Sequence, residues 1–232
     1  MRTRVLILDN AVHRFLFRPP WHWKPYLRGT SVDVVNVPSG RRIPPLDGYT
    51  HLLLTGSEAS ILQPKPWFGS EANAVREAAA RGLPILGSCF GHQMLVYALS
   101  GAENLGRSPK PEIGWIALEM IEEDDLLRDA PSPWHMFSYH LDEVVDPPPP
   151  WRILARSRDC PTHVLRYGDR PFWGIQAHPE LPLAKVRLFL AFYLLFARRD
   201  RRKSLRAMRR PSQKDRIMGE VLARFLATPP AS

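Results

Sequence analysis

The apolar positions of this chain change character along its length, and the change divides it. In roughly the first hundred residues they form short continuous runs: Val5 to Leu8 within Arg4 to Leu8, the valine-rich Ser31 to Val37, Thr50 to Thr55, and Pro84-Ile85-Leu86 bounded by Gly82 and Gly87. Continuous runs of this length suit strands buried on both faces of a parallel sheet. Before the fourth run, Ser70 is placed as the N-cap of a helix through Arg81, with Val75 and Ala79 on one face and Gly82 after its end. That helix joins the third and fourth strands as a β-α-β unit. A second helix-compatible segment, Gly91 to Leu99, stops at Ser100-Gly101.

Past Gly101 the pattern becomes strand-rich and antiparallel in character: Trp115 to Met120, Met136 to Tyr139, Ile153 to Arg156, His163 to Tyr167 and Phe172 to Ala177. Pro147 to Pro150 is a stiff, exposed connector. From residue 181, LPLAKVRLFLAFYLLFARR reads as a helix packed on the sheet, and a last helix is expected around Ile217 to Leu226. The aromatic and proline-rich Phe15 to Leu27 predicts a short helix opened by its prolines near Trp21. Packing of the first crossover is the favoured role for Trp21, His22 and Lys24, over a substrate or partner surface.

Composition narrows this picture. The 232 residues suffice for one large domain. No shift occurs before about residue 198, so we expect one domain over 1–197 and a basic helical extension over 198–232, packed on or next to it. The net charge of +9 is concentrated: between Arg198 and Arg216 stand ten basic residues and two acids, net +8. Such a run is read first as a solvated face, and nucleic acid is not the expected partner. The two cysteines, Cys89 and Cys160, form no disulfide framework, and MRTRVLILDN enters a strand without a signal-peptide pattern. The expected compartment is the cytoplasm. Leu188 to Phe196 is far short of the roughly 20 residues needed to span a bilayer. None of the eight histidines falls into a recognisable zinc-ligand motif, and no phosphate-loop motif is present.

The candidate chemistry lies in Gly87-Ser88-Cys89-Phe90-Gly91, between the fourth strand and the second helix. The pattern glycine, any residue, nucleophile, any residue, glycine is that of a nucleophile elbow, where the glycines let strand and helix backbones approach closely. A thiol there sits at a helix N-terminus, whose free N–H groups and dipole stabilise a thiolate. The backbone N–H of Phe90 is placed to donate to an oxyanion. A free cysteine among apolar residues is more often an inert core filler. The second stretch that decides the matter is Phe172 to Glu180, FWGIQAHPE, in which extended backbone would put His178 and Glu180 on one side. Cys89, His178 and Glu180 then form a nucleophile, proton carrier and orienting acid.

The chain order of these three, with G-x-C-x-G-H-Q and H-P-E, resembles the class I glutamine amidotransferases. CPTHVLRYGDRPFWGIQAHPE and PEIGWIALEM resemble its stand-alone branch, related to the glutaminase domain of GMP synthase. The resemblance implies a three-layer α/β sandwich with a mostly parallel, flavodoxin-like central sheet and an added antiparallel portion. It implies hydrolysis of the side-chain amide of glutamine through a cysteine thioester, without metal or organic cofactor, with ammonia passed to a separate synthetase. Some relatives in this branch are γ-glutamyl peptidases, which makes a γ-glutamyl compound the alternative substrate; a non-catalytic binding protein on the same fold is the second alternative. Thr55 to Ile61 resembles the family's oxyanion loop, giving Gly56 and Ser57 that role beside Phe90, with Ser57 replacing a glycine and Glu58 a proline. Gln93, Tyr139 and His140 match substrate-contact positions, His140 within FSYHLDEV, where Tyr139 and Leu141 depart from the family's serine and glycine.

Overall fold

The computed structural model describes residues 3–14, 18–181, 186 and 216–231. The helix expected from residue 181 lies almost wholly outside them. So does the basic run from Arg198, apart from the backbone of Arg216.

Nine strands form one sheet: β1 (Arg4–Asp9), β2 (Ser31–Asn36), β3 (His51–Leu54), β4 (Ile85–Ser88), β5 (Leu105–Met120), β6 (Trp134–Val144), β7 (Trp151–Arg156), β8 (Val164–Tyr167) and β9 (Phe172–Ile175), in the order β2-β1-β3-β4-β9-β8-β7-β5-β6. The pairs β2/β1, β1/β3, β3/β4 and β4/β9 are parallel. The pairs β9/β8, β8/β7, β7/β5 and β5/β6 are antiparallel. The α/β class is as expected, but the sheet is mixed and not mostly parallel. The reason is connectivity. Short connections, residues 157–163 and 168–171, join β7 to β8 and β8 to β9, too short for the crossover a parallel pair needs, and β5 joins the same sheet through Glu119 and Met120.

Alternation along the parallel strands covers both faces. Leu6 and Leu8 of β1, Leu52 and Leu54 of β3 and Ile85 of β4 pack beneath α2 (Phe68–Ala80) and α3 (Phe90–Ser100). Val5, Ile7, Leu53 and Leu86 point the other way, towards Trp23, Trp173 and the Val221-Leu222-Phe225 face of α4 (Arg216–Ala227). A period of two on continuous apolar strands thus builds two cores on one sheet. Among the described residues, no helix is long and apolar enough to cross a membrane.

Two helix starts can be set against expectation. α2 begins at Phe68, and Ser70 lies inside it with its hydroxyl donating back to the carbonyl of Trp67 at 2.8 Å. Aromatic packing sets the start: the rings of Trp67 and Phe68 lie 5.4 and 5.5 Å from that of Phe90. The proline-opened helix α1 spans Pro19–Trp23, around the expected position.

At the carboxyl ends of β1 and β3, Asn10 ties the strands to α2. Its backbone N–H donates to Thr55 Oγ1 at 2.9 Å, and its side-chain amide donates to the Thr55 carbonyl at 3.1 Å and to Glu71 Oε1 at 2.8 Å. Burial pushes the Glu71 carboxyl up to about 8, with the Asn10 hydrogen bond only partly opposing. The folded state therefore keeps a proton that the unfolded chain releases near its ordinary value of about 4.3. That stabilisation is complete below about 4.3 and is lost as pH rises through about 8. Unfolding free energies from urea titrations at pH 5 to pH 8 should fall with pH in the parent, by up to about 1.4 kcal/mol per pH unit from this group. Glu71→Gln should remove that slope; an unchanged slope would show that the carboxyl is ionised in the folded protein.

Candidate active site

The site is built where β1, β3, β4 and β9 end, the edge of a parallel sheet at which α/β folds place their chemistry. Cys89 stands between β4 and α3 with φ 52° and ψ −108°, a backbone conformation that costs a non-glycine residue about 1–3 kcal/mol. Its N–H donates to the Ile175 carbonyl at 2.8 Å, and its carbonyl accepts from Gln93 N–H at 3.1 Å. Both flanking glycines are required by contact. A Cβ on Gly87 would stand 2.3 Å from the Gly91 carbonyl oxygen, and one on Gly91 would stand 2.4 Å from that of Leu54. The Phe90 N–H is the first of α3, where N–H groups have no acceptor within the helix.

His178 and Glu180 come to this thiol from the segment after β9. The expectation of an extended strand there is corrected: β9 ends at Ile175, and the chain turns, with Leu181 N–H directed at the His178 carbonyl at 3.4 Å. The turn still pairs the two side chains. His178 Nδ1 faces Glu180 Oε1 at 2.9 Å, and its ring and the Cys89 side chain both border Gly56. The backbone N–H of His178 donates to the Phe137 carbonyl at 2.7 Å, which fixes the ring's origin. Burial works to lower the pKa of His178, but the Cys89 and Glu180 charges outweigh it and hold the imidazole well above its ordinary value.

Two polar residues at the site had escaped sequence reasoning. Ser88 Oγ donates to Glu180 Oε2 at 3.0 Å, so the residue before the thiol secures the acid's second oxygen. Gln176 Nε2 is 3.7 Å from Cys89 Sγ, and Gln176 Oε1 accepts from Gln93 Nε2 at 3.1 Å. The signal was present in G-I-Q-A-H-P-E, yet a glutamine two residues before a histidine carries no chemistry until the backbone aims it.

The loop Thr55 to Ile61 lies against the pair. A Cβ on Gly56 would stand 2.9 Å from His178 Cε1 and 3.6 Å from Cys89 Cβ. Ser57 does not adopt positive φ, so the serine fits without a left-handed backbone, and its hydroxyl accepts from Ala59 N–H at 3.0 Å. Glu58 accepts from the backbone N–H groups of Val12 and His13 at 3.0 and 3.3 Å, tying the loop to the end of β1.

The three substrate-contact candidates divide. The Tyr139 carbonyl stands 3.7 Å from Cys89 Sγ, at the thiol. Gln93 is buried, and its amide nitrogen is taken up by the Asp142 carbonyl at 2.7 Å as well as by Gln176. The His140 ring faces protein on both sides: Nδ1 lies 3.2 Å from the Asp142 carbonyl and Nε2 3.1 Å from Glu112 Oε2. Gln93 and His140 therefore brace the wall that carries Tyr139. Of the early aromatic stretch, Trp23 is buried in the core, while Trp21 and Lys24 line a cavity of about 940 Å³ with Asp9, Arg14, Arg18 and Arg28.

The family model for glutamine amidotransferase class-I matches residues 26–192. The chain belongs to the class I glutamine amidotransferase family. Among relatives, it is 36% identical over 99 residues to the glutamine-hydrolyzing GMP synthase subunit of Pyrococcus abyssi, covering 43% of this chain and 52% of that protein. It is 33% identical over 152 residues to the glutamine-hydrolyzing GMP synthase of Aeropyrum pernix, covering 66% of this chain and 27% of that protein. The match spans about half the length of the Pyrococcus and Thermococcus relatives. In structure the chain is similar to a glutamine amidotransferase from Thermotoga maritima, with TM-score 0.79, 21% identity and coverage of 98% of this chain and 97% of that one. A glutamine amido transferase from Methylobacillus flagellatus gives TM-score 0.81 at 21% identity, covering 97% and 94%. At such identity these structures speak for the fold.

The two thiols differ in setting. Cys160 is fully buried, and burial with the nearby Glu143 and Glu112 pushes it up to about 12, whereas Cys89 has an imidazole partner. Brief iodoacetamide treatment of the native protein at neutral pH, followed by peptide mapping, should alkylate Cys89 and spare Cys160. Equal labelling, or preference for Cys160, would overturn the assignment of the elbow.

Proposed function

We propose that this chain hydrolyses the side-chain amide of glutamine, with Cys89 as nucleophile, His178 as proton carrier and Glu180 as the acid that orients it. The observation that carries the reading is the Cys89 thiol in contact with an imidazole whose Nδ1 is held at 2.9 Å by a buried carboxylate. Cys89 Sγ attacks the amide carbon, and the negative charge that develops on oxygen is met by backbone N–H groups from Phe90 and from the Gly56-Ser57 loop. His178 delivers its proton to the leaving nitrogen, the C–N bond breaks, and ammonia departs from a γ-glutamyl thioester. Water then loses a proton to His178 and adds to the thioester carbon, and the C–S bond breaks to return thiolate, imidazolium and glutamate. Glu180 keeps the ring aimed and balances its charge, and Ser88 keeps Glu180 in place.

The substrate and the fate of the ammonia belong to the same proposal. The similarity to GMP synthase proteins whose names specify glutamine hydrolysis supports glutamine over a γ-glutamyl peptide, and supports transfer of ammonia to a separate synthetase. A cytoplasmic setting fits two free cysteines. We assign the glutaminase unit to residues 1–197 and treat 198–232 as its extension.

Glutamate release from glutamine, and from γ-glutamyl dipeptides in parallel, tests the assignment. Cys89→Ala should abolish release. His178→Ala should lose more than Glu180→Gln, because a proton carrier is harder to replace than the group that orients it. Faster turnover of the dipeptides would move the chain to the peptidase reading, and release that survives Cys89→Ala would reject both. Gly56→Ala forces a methyl to 2.9 Å from His178 Cε1, so its turnover should fall roughly ten- to a hundredfold with circular dichroism unchanged; parental turnover would mean that the loop does not touch the working ring.

A further inference from the structure

Behind the wall that carries Tyr139 lies a second group of reactive side chains, unused in the chemistry above. Glu112 stands on β5 opposite His140 on β6, and Cys160 and His163 come from the turn between β7 and β8. All four are buried, and one ligand atom from each lies within 4.8 Å of the other three. We propose that Glu112, His140, Cys160 and His163 bind one divalent transition-metal ion, zinc in the first instance, as a structural site.

Three observations carry this. The first is geometry. Glu112 Oε2 is 3.1 Å from His140 Nε2 and 3.0 Å from His163 Nε2. A tetrahedral zinc ion with bonds of about 2.0–2.3 Å sets its ligand atoms about 3.3–3.7 Å apart, so these edges need to open by only a few tenths of an ångström. The Cys160 sulfur lies within 4.8 Å of the other three ligand atoms.

The second is proton placement. His140 Nδ1 faces the Asp142 carbonyl at 3.2 Å, an acceptor, so that nitrogen carries the hydrogen. That leaves Nε2, which faces Glu112 Oε2, as the ring's ligand atom, and a metal ion between the two would be held by both. An Nδ1–H donated to a backbone carbonyl is also the outer contact by which ligating histidines are oriented. The carboxylate is prepared likewise: Ser157 Oγ donates to Glu112 Oε1 at 2.5 Å, leaving Oε2 as the single ligand atom.

The third is charge. One thiolate, one carboxylate and two neutral imidazoles cancel a doubly positive ion, so the loaded site buries no net charge. Loading releases the Cys160 thiol proton as the metal–sulfur bond forms. Sulfur and imidazole together favour zinc over magnesium or calcium. Such an ion would clamp the β7–β8 turn to the β5–β6 hairpin, whose Asp142 and Tyr139 carbonyls meet Gln93 and the Cys89 thiol.

The test uses the full chain with any affinity-tag histidines removed. Protein from cells grown with zinc should retain one zinc per chain through dialysis. Protein from cells grown with cobalt should show tetrahedral visible bands and a thiolate-to-cobalt charge-transfer band. Cys89→Ser leaves Cys160 as the sole thiol, because the chain has two cysteines, and its cobalt form should keep the band. His163→Gln in that background should weaken metal retention at least about tenfold, the loss of one good ligand interaction. A metal-free protein, or a cobalt form of Cys89→Ser without the thiolate band, would overturn the proposal and leave the cluster a purely hydrogen-bonded core network.

Discussion

How closely three backbones can approach α3 decides what the rest of the molecule can do. The helix rests on β3, β4 and β9 through positions that lack a side chain. A Cβ on Gly91 would meet the Leu54 carbonyl, one on Gly87 the Gly91 carbonyl, and one on Gly174 would stand 2.1 Å from His92 Nδ1. Where these glycines admit the close contacts, the strand-to-helix turn is compressed into Cys89, which takes the unfavourable backbone conformation. The strain is sustained because the hydrogen bonds to Ile175 and from Gln93 on either side hold the turn. The Cys89 thiol is thus presented at the sheet edge by the same contacts that seat the helix.

Burial then sorts the acids by the partners they find. Glu180 has His178 on one oxygen and Ser88 on the other. Glu71, equally buried, has a single amide donor in Asn10 and is driven towards its neutral form. One lies beside a thiol and the other beneath a strand end. The difference between a residue that can hold an imidazolium and one that fastens a loop is a matter of donors supplied by neighbouring backbone and side chains.

Much of this was legible beforehand because it depends on local rules. The four apolar runs up to Leu86 predicted the first four strands to within two residues at either end, and the glycines around Cys89 marked the strand-to-helix turn. The antiparallel half was legible as strands but not as a continuation of the same sheet, because pairing of Glu119 and Met120 with β7 is decided by distant contacts. Ser70 resembled a cap, and the Trp67-Phe68 packing on Phe90 overrode it. The roles of Ser88 and Gln176 required knowing where each side chain points. The Glu112-His140-Cys160-His163 cluster was invisible for a related reason: partners separated by 28 and 51 positions form no spacing motif and meet only when two hairpins dock.

The position of β9 also fixes an order of events. Among the described strands it is the last in the chain, yet it lies between β4 and β8 and joins the two halves of the sheet. The parallel half can form from local β-α-β contacts as the first hundred or so residues emerge. Its edge at β4 then stays open until Phe172–Ile175 has been synthesised and inserted. During that interval the apolar edge is exposed to other chains, while the thiol lacks the histidine that follows β9. Closing the sheet and bringing the imidazole to the thiol both depend on this one strand, because His178 follows it in the chain.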